Sequence, residues 1–122
     1  MALRDGTAIG YPFKQSRLVY IGMSESRQNS IGNRLRSHLS GRSGNVAISN
    51  YASVRPVVFS YYGVELLRAL GTNSVPEIES FFLDAFASIH GAFPICNNQC
   101  GVSCPTSTLK QLDVEVDWTP WE

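Results

Sequence analysis

Near its start the chain has two short apolar runs, residues 8–13 and 17–22, separated by a polar triplet at residues 14–16. Runs of this length around a short polar break are typical of a β-hairpin. A third run, residues 57–62, is β-branched and aromatic, and it follows Pro56, which fits a strand start because no ladder donor is needed there. These patterns predict a small, mainly antiparallel sheet of three strands.

A first helix is predicted between Ser30 and Gly41. Ile31, Leu35 and Leu39 recur at every fourth position, which is the stripe of an amphipathic helix. Ser30 is a good N-cap and Gly41 a good stop signal. The small, polar residues 40–50 that follow are predicted to form a surface loop.

A second, longer helix is predicted over residues 76–90. Its apolar residues recur three and four positions apart and form one wide stripe. Ser74 and Glu77 have the spacing of a capping box, and Gly91 ends the pattern. Residues 64–70 are predicted as a short helix, and residues 113–122 as an edge strand or a partly ordered tail. The order β-β-α-β-α-α predicts a single α/β domain over residues 1–122, with helices flanking the sheet.

Composition narrows the class of protein. Of the 122 residues, 43% are hydrophobic, yet no run approaches the roughly 18 apolar residues of a membrane span. The N-terminus lacks the pattern of a secretory signal, so we expect a soluble, cytoplasmic protein without a membrane partner. The three cysteines are an odd number, which argues against a disulfide framework.

The charge is distributed unevenly although the net charge is zero. Residues 1–60 carry eight Lys or Arg and two acidic residues, a net charge of +6, whereas residues 61–122 carry two and eight, a net charge of −6. A basic face can attract phosphates even when the total charge cancels. The asymmetry is therefore compatible with a nucleic-acid partner.

Four separated motifs resemble the GIY-YIG nuclease family, in the order in which that family has them. The first signature is rearranged here to Ile-Gly-Tyr, and residues 23–33 are a few positions longer than expected. The resemblance covers about residues 8–97 and leaves residues 98–122 as a C-terminal extension. The four motifs are Ile9-Gly10-Tyr11, Val19-Tyr20-Ile21-Gly22, Arg34-Leu35-Arg36-Ser37-His38-Leu39, and a Glu79 helix followed by Gly91, Pro94 and Asn97.

This resemblance implies a metal-dependent endonuclease that hydrolyses phosphodiester bonds, with DNA as the expected substrate. It implies Tyr11 as the general base, with Tyr20 assisting or taking that role instead. It also implies one Mg²⁺ or Mn²⁺ ion, held by Glu79 as the sole protein carboxylate.

The remaining implied roles concern phosphate and site geometry. Arg34 would clamp the scissile phosphate, His38 would hydrogen-bond a phosphate oxygen or the attacking water, and Asn97 would help to hold the site. The candidates for substrate binding are Lys14, Arg17 and Arg36.

Two other interpretations stay open. The chain could be a GIY-YIG-like module that binds nucleic acid or protein without cutting. It could also be a small zinc-stapled interaction domain built on Cys96, Cys100, Cys104 and His90, although the Cys-x3-Cys spacing lacks the usual short pair. Taken singly, each proposed site residue also has an ordinary structural explanation, and Glu77 is a rival to Glu79 as a first-turn acid.

Overall fold

The computed structural model describes residues 1–25, 28, 30–63, 65, 74–97 and 115–122. Within these residues the chain is a small mixed α/β fold with three helices and two antiparallel two-stranded sheets. The helices are α1 (Ile31–Leu39), α2 (Val46–Val54) and α3 (Val75–His90). The strands are β1 (Ala2–Leu3), β2 (Ile9–Gly10), β3 (Gln15–Ser16) and β4 (Val57–Val58), and Thr119–Trp121 is a 3-10 turn.

Strand β1 has hydrogen-bonded neighbours on both of its edges. On one edge it pairs with β4, with Ala2 opposite Val58. On the other edge the Leu3 amide donates to the Arg17 carbonyl (2.9 Å), and the Val19 amide donates to the Met1 carbonyl (2.9 Å). Residues 17–19 therefore extend the β1–β4 sheet, although only the Ala2–Leu18 bridge is regular there.

The predicted N-terminal hairpin forms, but its predicted turn at residues 14–16 is wrong. Gln15–Ser16 is strand β3 and pairs with β2, while the turn lies at residues 11–14, where the Tyr11 amide donates to the Lys14 carbonyl (3.3 Å). The hairpin ladder stops after Ser16 because the Arg17 amide donates to the carbonyl of Trp121 (2.6 Å). In the described residues two short sheets therefore stand where one three-stranded sheet was predicted.

Two further predictions from local pattern are also corrected. The strand predicted over residues 57–62 is regular only at Val57–Val58. The loop predicted over residues 40–50 ends at Asn45, where the side chain accepts from the Ile48 amide (3.2 Å) and starts helix α2. Ile48 is fully buried and anchors this helix to the core, which the small and polar residues around it did not indicate.

The two amphipathic helices are confirmed. Ser30 caps α1 by accepting from the Asn33 amide (3.3 Å), and Ser74 caps α3 by accepting from the Glu77 amide (3.3 Å). Gly91 ends α3 in the left-handed conformation, with φ of 82°. The short helix predicted over residues 64–70 lies outside the described residues. Residues 115–122 contain a 3-10 turn and no strand.

The core forms two layers, one on each face of the β1 backbone. Leu3 and Val19 pack with Ile48 of α2 on one face. Ala2 and Leu18 pack with Phe86 of α3 and Trp118 on the other face. Neighbouring residues of an extended strand point to opposite faces, so one short strand supplies both layers. In the described part of the chain no helix is long and apolar enough to cross a membrane.

Phe86 should contribute most among the α3 side chains, because it is 0% exposed and contacts the rings of Tyr11, His90 and Trp118. Phe86→Ala should lower the free energy of unfolding by about 3–5 kcal/mol in urea denaturation. Ile89→Ala, on the same helix at 41% exposure, is the matched control and should lower it far less. Equal losses in the two variants would contradict this packing.

Candidate functional site

Tyr20 and Arg34 form the centre of the candidate site. Tyr20 lies four residues beyond β3, and Arg34 lies in the first turns of α1. The Arg34 Nη2 atom donates a hydrogen bond to the Tyr20 hydroxyl oxygen, at 2.9 Å. Because the Ser30 cap fixes where α1 begins, it also fixes the position along the helix from which Arg34 reaches Tyr20.

The Tyr20 ring occupies the space that a side chain at position 22 would need. A Cβ atom at Gly22 would lie 2.4 Å from the Tyr20 hydroxyl oxygen and 2.5 Å from a ring carbon. Real Cβ atoms do not approach other atoms this closely, so any side chain at position 22 would push the ring away. The glycine of the Tyr-Ile-Gly motif is therefore required by the tyrosine two residues before it.

Glu79 brings a carboxylate from α3 to the same place. Its side chain accepts from the Met23 backbone amide and lies within electrostatic reach of Arg34 and Tyr20. Burial raises the pKa of the Glu79 carboxyl, while Arg34 and the Met23 amide lower it. Burial also raises the pKa of Tyr20, and there Arg34 lowers it while Glu79 raises it further. The three residues are thus electrostatically coupled.

His38 lies one helical turn after Arg34, as the sequence spacing predicts. Its ring meets the Tyr20 ring edge-on, with centroids 5.7 Å apart, and stacks parallel to Phe59 at 6.2 Å. The His38 Nδ1 atom lies 2.9 Å from the Ser43 hydroxyl oxygen. Burial lowers the pKa of His38, and the Arg34 charge lowers it further, so both effects favour the neutral imidazole.

The described contacts of Tyr11 are with residues other than those of this cluster. Its hydroxyl donates to the Leu18 carbonyl (2.7 Å) and accepts from the Ile95 amide (3.2 Å). Its ring packs edge-on against Phe86, with centroids 5.1 Å apart. Burial raises the pKa of Tyr11 to about 12. The hydroxyl is thus engaged in holding the backbone of two loops together.

Asn97 supports the site through the backbone. Its Oδ1 atom accepts from the Ile21 amide (3.0 Å), and its Nδ2 atom donates to the Ile21 carbonyl (2.7 Å). Both polar groups of the residue next to Tyr20 are therefore satisfied by one side chain. Asn97 thus fixes the backbone next to Tyr20.

Two of the predicted substrate-binding cations have contacts in the C-terminal segment. Lys14 forms an ion pair with Glu122, and Arg17 donates to the Pro120 carbonyl (2.7 Å) and the Leu3 carbonyl (3.4 Å). Arg36 is exposed in the last turn of α1. Lys14 and Arg17 thus attach the C-terminal segment to the hairpin.

Other residues that shape the site were missed by sequence reasoning. Met23 and Ser43 contact Glu79 and His38 from loops, where local pattern carries no signal. Phe59 was predicted only as a strand residue. Gly22 was quoted as part of a motif, but its steric role depends on how the Tyr20 ring bends back over it.

The donors available to a metal ion are few. Among the described residues no three His, Cys, Asp or Glu side chains are grouped as a metal site would need. The Cys96 side chain packs with Leu3 and Val19 in the core, and burial raises the pKa of its thiol to about 11. Cys100 and Cys104, which the zinc interpretation needs, lie outside the described residues.

His90, the fourth ligand of that zinc interpretation, is buried under Phe86. The two rings stack with centroids 3.9 Å apart, and the His90 Nδ1 atom lies 3.1 Å from the Phe86 carbonyl oxygen. Burial lowers the pKa of His90. His90 therefore has a well-defined structural role at the C-terminal end of α3.

Comparisons of the chain with protein-family models, with curated proteins and with solved structures give no match. The resemblance to GIY-YIG nucleases therefore depends on the motif residues.

Gly22→Ala should displace the Tyr20 ring and lower the free energy of unfolding by about 1–3 kcal/mol, as overpacking does. Gly10→Ala is the matched control, because a Cβ atom there meets nothing within 4 Å. Its effect in the same denaturation experiment should stay within about 0.5 kcal/mol. A Gly22→Ala variant as stable as the Gly10→Ala variant would show that the ring does not occupy this position.

Proposed function

We propose that this chain hydrolyses phosphodiester bonds of nucleic acid at the cluster of Tyr20, Arg34, His38 and Glu79. The observation that carries the proposal is the hydrogen bond from Arg34 to the Tyr20 hydroxyl, with the Glu79 carboxylate within electrostatic reach. A phenol, a guanidinium and a desolvated carboxylate come together from three separate parts of the chain.

Arg34 supplies the positive charge that the reaction needs. Phosphodiester hydrolysis builds negative charge on the phosphate oxygens in the transition state, and a fixed guanidinium stabilises that charge. A guanidinium has five N–H donors in a planar fork, of which the bond to Tyr20 uses one. The remaining donors suit two phosphate oxygens at once, which a lysine could not match.

Tyr20 fits the role of general base better than Tyr11. The Tyr20 hydroxyl oxygen accepts from Arg34, a bond that becomes stronger when the phenol loses its proton. The Tyr11 hydroxyl instead donates its proton to the Leu18 carbonyl, and that bond would be lost on ionisation. Neutralising Glu79 would remove one of the effects that raise the pKa of Tyr20.

Glu79 is the residue that would hold a divalent cation. Among the described residues no three His, Cys, Asp or Glu side chains are grouped, so a cation at Glu79 would have few protein donors. This suits Mg²⁺ or Mn²⁺, because Mg²⁺ commonly keeps several waters and adds substrate oxygens. Partial burial of the carboxylate also favours a cation, since its charge lacks full hydration. When bound, such an ion supplies a Lewis acid for the phosphate and leaving oxygens.

DNA is the substrate that we propose, and the products would carry 5′-phosphate and 3′-hydroxyl ends, as the resemblance to GIY-YIG nucleases implies. A single site of this kind cuts one strand at a time. We place this enzyme in the cytoplasm, as the sequence predicts.

Removing the carboxylate charge should abolish cutting. With Mg²⁺ or Mn²⁺ the wild type should nick a supercoiled plasmid, and EDTA should stop it. Glu79→Gln should lower the rate by a factor on the order of 10²–10³ or more, as loss of transition-state electrostatic stabilisation does. Glu77→Gln, two residues earlier on the same helix, is the matched control and should keep most of the rate.

The Glu79→Gln variant should also fold at least as well as the wild type. Burial disfavours the charged form of Glu79, so a neutral amide removes that penalty at neutral pH. Full activity in Glu79→Gln, or equal losses in the two variants, would reject the proposed site. Binding of DNA by a wild type that never cuts would instead support a non-catalytic module.

A further inference from the structure

The loop between α1 and α2 places a hydroxyl group on the ring of His38. The Ser43 Oγ atom lies 2.9 Å from the His38 Nδ1 atom. The same Oγ atom accepts a hydrogen bond from the Asn45 backbone amide, at 3.1 Å. Ser43 is therefore bonded both to the ring and to the residue that caps α2.

A count of protons favours Ser43 as the donor in its contact with His38. A serine hydroxyl has one proton to donate and two lone pairs that accept. The Asn45 amide can only donate, so it uses a lone pair of Ser43. The second lone pair could accept from a protonated Nδ1 only if the hydroxyl proton went to a third group, whereas donation to the Nδ1 lone pair of a neutral His38 uses that proton within these two contacts.

We propose that Ser43 is a positioning residue that holds His38 as the Nε2–H tautomer. Nδ1 then accepts from Ser43, and the ring proton sits on Nε2, on the side of the ring away from this loop. Phe59 stacked on one face and the edge of Tyr20 keep the ring from turning over. The lowered pKa of His38 agrees with a neutral ring, which is the form that the tautomer requires.

The tautomer decides what His38 can do in the proposed reaction, and this step rests on the proposed function. A neutral ring with its proton on Nε2 offers a hydrogen-bond donor, and the centroid of this ring lies 5.7 Å from that of Tyr20. It has no free lone pair on that side, so it cannot accept a proton from water there. His38 is then a donor to a phosphate oxygen, and the role of general base is left to Tyr20.

The other histidine provides an internal reference. The His90 Nδ1 atom lies 3.1 Å from the Phe86 carbonyl oxygen, which can only accept. His90 must therefore carry its proton on Nδ1. The two histidines of this chain are expected to be opposite tautomers, although both are buried and neutral.

Long-range ¹H–¹⁵N spectra of the histidine rings at pH 7.5 test this directly, because the two tautomers give different ring nitrogen shifts. The wild type should show Nε2–H for His38 and Nδ1–H for His90. Ser43→Ala should shift His38 toward a mixture of tautomers and leave His90 unchanged. Ser40→Ala, which removes a hydroxyl bonded to the Ser37 carbonyl at the end of α1, is the control and should change neither ring.

Any form of His38 other than Nε2–H in the wild type would overturn the proposal, whether or not Ser43→Ala folds. An unchanged His38 spectrum in a folded Ser43→Ala variant would overturn it as well. These spectra need no substrate, so they stay decisive even if the chain cuts no DNA.

Cleavage kinetics supply the second readout. Ser43→Ala should lower kcat on the order of tenfold, the effect of one hydrogen bond of ordinary strength, with KM nearly unchanged. Ser43→Thr keeps the hydroxyl and should restore most of the rate. Failure of the threonine to restore a rate lost in the alanine variant would reject the role of the hydroxyl. Absence of cleavage by the wild type would reject the proposed function. The tautomer of His38 would still be tested by the spectra.

Discussion

The whole site depends on how the backbone of residues 18–21 is fixed. Two distant parts of the chain hold this segment. The Val19 amide donates to the Met1 carbonyl, and the Val19 carbonyl accepts from the Cys96 amide, both at 2.9 Å. Asn97 then satisfies both backbone groups of Ile21. The backbone of Tyr20 lies between these anchors, and α1 and α3 bring the side chains of Arg34 and Glu79 toward it.

Tyr20 and Glu79 are held where burial perturbs the pKa of each side chain. Burial raises the pKa of both Tyr20 and Glu79, so each folded-state environment disfavours the ionised side chain. The positive charge of Arg34 lowers the pKa of both residues and so offsets part of the effect of burial. Perturbed titrating groups that cluster in this way are typical of functional sites. The hydrogen bond from Arg34 to Tyr20 is thus both a structural tie and the feature that suggests chemistry.

The sequence predicted the parts of this structure that local rules decide. Helices α1 and α3 were found because Ser30, Ser74 and Gly91 mark their ends and because their apolar stripes are periodic. The strands were predicted less well, since their pairing is set by distant residues. The carbonyl of Trp121, for example, accepts the hydrogen bond of the Arg17 amide. The motif residues were found through resemblance, but their geometry was not. Nothing in the pattern separates Tyr11 from Tyr20, and Ser43 lies in a polar loop without any motif.

The most direct test of the account is single-turnover cleavage of end-labelled DNA with Mg²⁺ or Mn²⁺ by the wild type, Tyr20→Phe and Tyr11→Phe. Loss of a general base lowers a rate by roughly 10²–10⁴-fold, so Tyr20→Phe should lose at least a hundredfold. Tyr11→Phe should lose stability, because its hydroxyl ties two loops together, and keep most of its rate once folded. The reverse order of the two variants, or full activity in Tyr20→Phe, would contradict the account.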